Sequence, residues 1–217
     1  ATKNSWIGMA GPAMIEGGGL GKFDPKEIGP SDIQKNNGVI DYVAEDEKEA
    51  TIIAKKILSY FQGDIKDWKA DDQTQLCDIM PKDRRWSYPV RDIIKIISDI
   101  EEFTEIKPEY GKGIVTCFIR IEGKPFGLLA NDSQHLGGAI DSEGADKASS
   151  FIEMCSEYGL PLISLVDTPG FMVGPDSEKE GAVRRMSNLF KIGSKVKVPL
   201  TAIFLRKGYG LGAQAMV

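Results

Sequence analysis

The sequence predicts an α/β protein with a parallel β-sheet in its second half. Two apolar runs, residues 162–166 and 200–205, indicate buried strands, and a helical pattern that opens with the motif Ser177-x-x-Glu180 separates them. The order strand, helix, strand is typical of parallel strands covered by helices on both faces of the sheet. Both runs lead into glycine-containing loops, and ligands of open α/β sheets bind at such strand ends.

The first half of the chain predicts a strand, a helix and a long connection. Residues 39–43 have the composition of a short strand, and apolar side chains then recur at helical spacing over residues 46–61. Residues 63–81 are rich in Asp, Lys and Gln, which predicts a solvated connection and the main domain boundary. A further helix is expected after Pro89, because proline suits the start of a helix.

The second half opens with the pattern of a β-hairpin. Two strand-like runs, residues 113–121 and 125–130, flank a short segment that contains Gly123. A helix over residues 144–158 is expected next, because apolar side chains share one of its faces and Gly159 supplies a typical stop.

Composition argues against several classes of function. A formal charge of -5 and a pI near 5.1 do not suit nucleic-acid binding, which needs clustered Lys and Arg. Cys77, Cys117 and Cys155 are far apart and odd in number, which favours reduced thiols of a cytoplasmic protein over a disulfide framework or a metal site. His135 is the only histidine, so a zinc site or an imidazole-activated nucleophile would lack its usual parts.

The sequence carries no signal for membrane insertion or secretion. No run approaches the roughly 18 apolar residues of a membrane span, and the start lacks a basic and then apolar signal pattern. The chain begins at Ala1, and a helix after Gly212 would have only about five residues, against a usual length of about 8 to 20. We therefore expect the chain to be part of a longer polypeptide.

The segment GYGLGA, residues 208–213, satisfies the pattern G-x-G-x-x-G/A and permits three interpretations. A dinucleotide site would need an acidic residue about 20 positions further on, which lies beyond residue 217. The glycines could instead form a tight turn between a strand and a helix. They could also present free N–H groups at a helix N-terminus, where a developing oxyanion would bind. The residues alone leave the last two interpretations open.

The segment LVDTPG, residues 165–170, imitates the strand and D-x-x-G motif of GTPases, in which Asp167 would reach Mg²⁺ through water. That interpretation needs a P-loop elsewhere in the chain. The candidate, EGGGLGKF, has Glu16 where glycine is required and Phe23 where a metal-binding hydroxyl is required. A surface turn is the better interpretation of that glycine-rich segment.

Basic pairs and the single histidine give weaker signals. Arg184-Arg185 and Arg206-Lys207 could hold the phosphates of a bulky ligand such as coenzyme A, although such pairs usually belong to solvated faces. His135 is expected to be a loop residue rather than a catalytic base, because the sequence shows no partner for it.

Six long segments together resemble one family, the biotin-dependent carboxyltransferases that act on acyl-CoA, such as the β subunits of propionyl-CoA and acetyl-CoA carboxylases. The segments are GPAMIEGGGLG, EIGPSDIQKNNGVIDYVAEDEKEA, YPVRDIIKIISDIEEFTEIKPEYGKGIV, LGGAIDSEGADKASSFIEMC, LPLISLVDTPGFMVG and VPLTAIFLRKGYGLGAQAM. Their order and spacing are also those of the family, and the resemblance covers nearly the whole chain.

The resemblance implies parts of two repeated lobes with a crotonase-like fold. Residues 1–62 would be the closing part of the N-terminal lobe, which binds acyl-CoA, residues 63–112 a linker with a connecting helix, and residues 113–217 the opening part of the C-terminal lobe, which binds biotin. It also implies transfer of a carboxyl group from carboxybiotin to a short acyl-CoA, propionyl-CoA or acetyl-CoA. The expected partners are a biotin carboxyl carrier protein or biotin carboxylase subunit and further copies of the chain. A biotin-dependent decarboxylase of the sodium-pump type is the nearest alternative, and a non-catalytic fragment is the other.

The resemblance further implies roles for residues of the two strand-end loops. Gly210, Leu211 and Gly212 occupy the loop whose backbone amides donate to the ureido oxygen of biotin, where many members have Gly-Gly-Ala. The residues expected to line the biotin side of the cleft are Gly170, Phe171, Met172, Gly174, Ala213 and Gln214. The resemblance implies that the biotin anion left after loss of CO₂ would be the base that removes the α-proton of the acyl-CoA. A histidine-poor chain suits such chemistry, because the protein supplies positions and fixed dipoles while the cofactor supplies the base.

Overall fold

The computed structural model describes residues 1–83 and 85–217, which form two compact units, residues 1–56 and 57–217. The helices are α1 (Pro12–Gly17), α2 (Ser31–Gln34), α3 (Glu47–Ser59), α4 (Leu76–Ile79), α5 (Val90–Ile97), α6 (Ser142–Glu157), α7 (Pro175–Lys179), α8 (Ala182–Gly193) and α9 (Gly210–Ala215). The strands are β1 (Phe103–Ile106), β2 (Ile114–Ile121), β3 (Lys124–Asn131), β4 (Leu162–Thr168) and β5 (Leu200–Gly208).

Residues 1–56 are held together largely by main-chain hydrogen bonds between distant segments. The N–H of Ala44 donates to the carbonyl of Ala1 at 2.8 Å, and the N–H of Ile7 donates to the carbonyl of Gly29 at 2.7 Å. Most side chains of this unit are exposed or half-buried. The helix predicted over residues 46–61 is confirmed as α3 with slightly shorter bounds.

The strand predicted over residues 39–43 is wrong. The N–H groups of Val39 and Ile40 both donate to the carbonyl of Gln34, each at 3.1 Å, so this segment closes a turn after α2. The side-chain oxygen of Asn37 accepts a second hydrogen bond from Val39. A short apolar run forms a strand when its main-chain groups pair with another strand. Here the N–H groups of Val39 and Ile40 are bonded to nearby residues instead.

Residues 57–217 contain a five-stranded sheet in the order β1-β2-β3-β4-β5. The first three strands pair antiparallel, and β4 and β5 add parallel strands beside β3. The predicted hairpin is confirmed: β2 and β3 are joined by Glu122 and Gly123, both with positive φ, as two-residue hairpin turns of the favoured type require. The predicted parallel strands are confirmed as β4 and β5.

The sheet is covered by helices on both faces, as the sequence predicts. Alternate residues of β2, β3 and β4 pack on α6 and α8 on one face, for example Phe118, Leu129 and Val166. The residues between them, such as Cys117 and Leu128, pack on α5 on the other face. The α5 helix confirms the prediction of a helix after Pro89.

Two features of this unit differ from the expectation. The single helix expected from Ser177 onward is divided into α7 and α8, because Gly181 has a left-handed backbone (φ 73°) that interrupts it. The connection predicted over residues 63–81 contains α4 and is tied to the sheet, since the N–H of Ile65 donates to the carbonyl of Gly123 at 3.0 Å. Among the described residues, no helix combines the length and the apolar character needed to cross a bilayer.

β5 lies at the open edge of the sheet, and its outer side chains are poorly covered. Within the described chain it pairs with β4 alone. Ile203 and Phe204 are 47% and 56% exposed, whereas every residue of β4 is buried.

Lys147 of α6 is a buried amine whose titration affects stability. Its side chain is 2% exposed, and its Nζ donates a hydrogen bond to the carbonyl of Tyr110 at 3.0 Å. Burial lowers the pKa of Lys147 from 10.5 to about 8, because a buried ammonium loses its hydration. Between pH 8 and pH 10.5, Lys147 holds a larger fraction of a proton in the unfolded chain than in the folded one. The free energy of unfolding therefore rises with pH in this range because of this group.

We expect Lys147→Met to remove this pH dependence. Relative to the variant, the unchanged protein should gain up to about 3 kcal/mol of unfolding free energy between pH 8 and 10.5, at about 1.4 kcal/mol per pKa unit. Chemical denaturation of both proteins over a pH series measures the difference in unfolding free energy. Lys195→Met, at an exposed lysine, is the control and should show no such trend. A difference that stays constant across this window would contradict the expectation.

Candidate active site

Two loops meet beyond the C-terminal ends of β4 and β5. The β4 loop (residues 169–174) and the β5 loop (residues 209–212) leave neighbouring parallel strands at the same edge. The N–H of Tyr209 donates to the carbonyl of Thr168 at 3.2 Å, and this hydrogen bond links the starts of the two loops. A Cβ placed on Gly212 would lie 2.6 to 2.8 Å from main-chain atoms of Gly170 and Phe171. The loops are therefore in direct backbone contact, which the absence of a side chain at residue 212 permits.

The three amides expected to bind biotin lie at the start of α9. Gly210 has a left-handed backbone (φ 58°), which turns the chain from β5 into this helix. The N–H of Ala213 donates to the carbonyl of Tyr209 at 3.3 Å. Among the described residues, no acceptor serves the N–H groups of Gly210, Leu211 and Gly212. Such first-turn N–H groups attract a negatively charged oxygen.

The β4 loop uses more of its amides internally. The N–H of Gly170 donates to Oγ1 of Thr168 at 3.1 Å, and the N–H of Met172 donates to the carbonyl of Ile140 at 2.8 Å. The N–H of Phe171 has no acceptor in the part of the chain that the structure describes. The β5 loop is therefore the richer source of free donors.

Apolar side chains beside the loops divide into packed and exposed ones. Phe171 and Met172 are half-buried against the core, and the ring of Phe171 meets that of Phe190 edge to face with the centroids 6.0 Å apart. Val173 is 80% exposed and Leu211 is 63% exposed. The most accessible apolar surface at the two loops thus includes Val173, to which the sequence analysis gave no role.

The remaining predicted residues flank the free amides. Gly174 precedes α7, and its carbonyl accepts a hydrogen bond from the N–H of Glu178 at 3.1 Å. Ala213 is buried within α9, whereas Gln214 is exposed on that helix. The structure therefore brings the predicted residues of both loops to one edge of the sheet, with Gly212 and Gly170 at the point of contact.

Beneath the loops lies a buried ion pair that the sequence did not predict. Oδ2 of Asp167 accepts hydrogen bonds from the hydroxyl of Tyr88 at 2.7 Å and from Nε of Arg206 at 3.0 Å. Oδ1 accepts a third from the N–H of Lys207 at 3.0 Å. Burial, and next the hydrogen bond to Asp167, raise the pKa of Tyr88, so its hydroxyl stays protonated and donates. With three donors around a fully buried carboxylate, Asp167 is not placed to bind magnesium.

Three of the basic side chains considered for phosphate binding are engaged within the fold. The guanidinium of Arg206 binds the buried carboxylate and also donates to the carbonyl of Trp86 at 2.6 Å. Nζ of Lys207 donates to the carbonyl of Gly137 at 2.7 Å. Arg185 makes an ion pair with a carboxylate of α6 at 3.4 Å. These contacts favour structural roles over phosphate recognition.

His135 lies in a turn, as expected, and has a carboxylate neighbour that the sequence did not reveal. It precedes the single helical turn Leu136–Gly138, and its Nε2 lies 3.7 Å from Oδ2 of Asp141. Within residues 1–83 and 85–217, no group of three or more His, Cys, Asp and Glu side chains is placed to hold a metal ion.

A cavity of about 610 Å³ lies at the other edge of the sheet, next to the turn between β2 and β3. It is lined by Ile65, Trp68 and Asp99, and the carboxylate of Asp99 accepts the N–H groups of Glu122 and Gly123 in that turn. This cavity shares no residue with the β4 and β5 loops, so its volume does not bear on the chemistry there.

Comparisons with known proteins match the whole chain. Residues 1–217 match the family described as the carboxyl transferase domain. The chain is 33% identical over 224 residues to the methylmalonyl-CoA carboxyltransferase 12S subunit of Propionibacterium freudenreichii subsp. shermanii, covering 99% of this chain and 43% of that subunit.

Two solved structures resemble the chain closely. One is a single-chain, multi-domain long-chain acyl-CoA carboxylase, with a TM-score of 0.97 and 53% identity, covering 100% of this chain and 22% of that one. The other is transcarboxylase 12S, described as a hexamer with methylmalonyl-CoA and methylmalonic acid bound, with a TM-score of 0.87 and 33% identity, covering 99% of this chain and 44% of that one. The chain therefore spans less than half the length of these relatives.

Proposed function

This chain belongs to the carboxyl transferase domain family, and on that premise we propose that it forms part of an enzyme that transfers a carboxyl group from biotin to the α-carbon of an acyl-CoA. Membership confirms the family resemblance of the sequence. The α/β class and the crotonase-like fold are confirmed as well. The enzyme class that the resemblance implies is part of the proposal, because the chain spans less than half the length of these relatives.

The observation that carries the proposal is the row of free amides in the β5 loop. Gly210, Leu211 and Gly212 offer N–H groups that no acceptor within the described residues uses, and Gly170 closes the other side without a side chain. This arrangement fits a flat cofactor whose ureido oxygen gains negative charge. Fixed N–H donors stabilise such charge without reorganisation, and one donor of this kind is worth about 2.7 to 4 kcal/mol in other enzymes.

Most residues of the two loops have a proposed task. The amides of residues 210–212 hold the ureido oxygen, Gly170 and Gly174 let the cofactor approach the backbone, and Phe171 and Met172 support the loop from the core. Ala213 and Gln214 follow on α9, where Ala213 is buried and Gln214 is exposed, and we assign both to the cofactor side of the cleft. Bound biotin would supply the carboxyl group and the base, so the chain itself binds, orients and excludes water.

We also propose the division of the chain that the family resemblance implies. Residues 1–62 would close the acyl-CoA lobe, residues 63–112 would link the lobes, and residues 113–217 would open the biotin lobe. The position of the sheet and both loops within residues 57–217 supports the last assignment. The proposed partners are a biotin carrier protein or biotin carboxylase subunit and further copies of the subunit in a cytoplasmic complex, and the hexamer of the transcarboxylase relative supports the oligomer.

The acyl chain length is the least constrained part of the proposal. The sequence resemblance implies propionyl-CoA or acetyl-CoA, whereas the structure with 53% identity is a long-chain acyl-CoA carboxylase. That relative is 53% identical to the chain, whereas the transcarboxylase 12S subunit is 33% identical. The test should therefore include both short-chain and long-chain acyl-CoA substrates.

The test is carboxylation by the complete gene product together with its biotin carrier protein and a biotin carboxylase, which forms carboxybiotin from bicarbonate and ATP. Labelled bicarbonate and ATP are supplied with acetyl-, propionyl-, butyryl- and palmitoyl-CoA, and label in the acyl-CoA product is measured. Label in at least one product is expected. Absence of label from all four would reject the proposal, whereas sodium-coupled release of CO₂ from a carboxylated acyl-CoA would instead support the decarboxylase alternative.

A further inference from the structure

We infer that Asp167 is a positioning residue, whose buried carboxylate sets the place of the β5-loop amides relative to the β4 loop. The inference rests on the proposed function for its effect on turnover. The geometry of the strand ends supports it independently of any reaction.

Asp167 lies where the regular pairing of β4 and β5 is interrupted. Pairing ends with Val166 opposite Phe204 and resumes with Thr168 opposite Gly208. Two steps along β4 therefore correspond to four along β5, so β5 carries two extra residues across the interruption. Such bulges re-aim the chain, and they are common next to active sites.

The carboxylate replaces the hydrogen bonds that the strands lose at this point. Oδ1 of Asp167 accepts the N–H of Lys207 at 3.0 Å, and Oδ2 accepts Nε of Arg206 at 3.0 Å, so both extra residues of β5 are fixed by one side chain. The side-chain exposures of Asp167 and Arg206 are 0% and 7%, so water does not compete for these bonds.

Asp167 is itself held in place by contacts with residues outside β4 and β5. Its N–H donates to Oδ1 of Asn131, at the end of β3, at 3.0 Å. Tyr88 donates to its carboxylate from the segment before α5, and the ring of Tyr88 lies 4.5 Å from the guanidinium carbon of Arg206. A Cβ on Gly138 would lie 2.2 Å from the carbonyl oxygen of Asp167, so the main chains of these two residues pack closely and only glycine fits at position 138.

The residue that Asp167 holds in β5 is close in the chain to the free amides of the β5 loop. Lys207, whose N–H the carboxylate binds, precedes Gly210 by three residues, and Tyr209 between them is bonded to Thr168. A displacement of Lys207 would therefore shift the start of the short segment that carries the amides of residues 210–212. Catalytic geometry is sensitive to such shifts, since a misplacement of about 1 Å can cost about 100-fold in rate.

The test compares Asp167→Asn with Glu105→Gln in the complete subunit. Both variants neutralise one carboxylate of an ion pair. Glu105 lies on β1, away from the two loops, and binds Arg91 at 2.7 Å in a less buried pair, in which Arg91 also binds Asp132. In Asp167→Asn one oxygen becomes an NH₂ group that cannot accept, so one β5 contact is lost. We expect its kcat for carboxyl transfer to fall about 10- to 100-fold with KM for acyl-CoA nearly unchanged. Glu105→Gln should lose stability without this change in kcat.

A second readout does not need turnover. Hydrogen exchange measured by mass spectrometry on a peptide spanning residues 207–213 should be faster in Asp167→Asn. The hydrogen bonds of the Tyr209 and Ala213 amides should open more often when Asp167 no longer holds β5. If the unchanged subunit carboxylates no acyl-CoA, the proposed function fails while this measurement still decides the positioning role. Unchanged exchange together with unchanged kcat in a folded Asp167→Asn subunit would overturn the inference.

Two further variants cover the case in which Asp167→Asn does not fold. Tyr88→Phe removes one hydrogen bond to the carboxylate and should lower kcat by a smaller factor while quickening exchange in the same peptide. The double variant Asp167→Asn with Arg206→Met also removes the buried guanidinium that has lost its carboxylate, so stability should recover while kcat stays low. Full recovery of both stability and kcat in the double variant would show that the pair only stabilises the fold, and would overturn the positioning role.

Discussion

Leu211→Pro is expected to lower the rate of carboxyl transfer by about 100- to 1,000-fold, the usual effect of removing one oxyanion donor. Proline has no N–H, and the amide of Leu211 has no acceptor among the described residues, so the substitution removes a donor without breaking an internal hydrogen bond. Proline is tolerated in the first turn of a helix, and the preceding Gly210 has no Cβ to meet the ring.

The matched control is Leu211→Ala, which keeps the N–H and removes the exposed side chain. Its rate should stay within about 2-fold of the unchanged enzyme, as for an ordinary surface substitution. Single-turnover transfer from carboxylated biotin to acyl-CoA separates the chemical step from binding. Equal rates for the proline and alanine variants, with both proteins folded, would show that this amide takes no part in the reaction.

Gly212→Val is expected to separate the two loops. Its side chain would start 2.6 to 2.8 Å from main-chain atoms of Gly170 and Phe171, which cannot rotate away as a side-chain tip can. We expect a loss of about 1 to 3 kcal/mol in unfolding free energy, as for other overpacked sites. The accompanying fall in kcat should be about 100-fold or more, because both the β4 and β5 loops are displaced.

Denaturation and steady-state kinetics on the same preparation measure both effects. Gly193→Ala is the control, since a Cβ on Gly193 in the last turn of α8 would meet nothing within 4 Å. Its stability and kcat should stay close to those of the unchanged protein. A Gly212→Val enzyme with normal kcat would mean that the contact between the loops is not needed for transfer.

The sequence predicted the features that depend on neighbouring residues. β4 and the hairpin of β2 and β3 follow from apolar runs and a glycine turn, and α6 follows from its apolar face and its Gly159 stop. The ends of β4 and β5 could be located for the same reason, and parallel strands then require their loops to share an edge. The task assigned to residues 210–212 came from family resemblance, because glycines that bind an anion and glycines that only turn have the same pattern.

Features that depend on distant residues were not predicted. Tyr88, Asp167 and Arg206 lie far apart in the chain, and nothing local shows that they meet. The one available signal was chemical: an aspartate that ends a fully buried strand needs partners for its charge. The contact of Gly212 with Gly170 was equally hidden, because a glycine's lack of a Cβ shows a possible close approach without naming the neighbour.

The uncovered outer edge of β5 has a consequence for handling the protein. An edge strand with exposed Ile203 and Phe204 and no charged residue before Arg206 offers unpaired main-chain groups on an apolar surface. Natural proteins protect such edges with charges, prolines or a covering segment, because uncovered ones recruit strands from other molecules. A preparation of these 217 residues by themselves would therefore tend to aggregate as its concentration rises, and a lysine introduced at position 203 would be the first change to make for solubility.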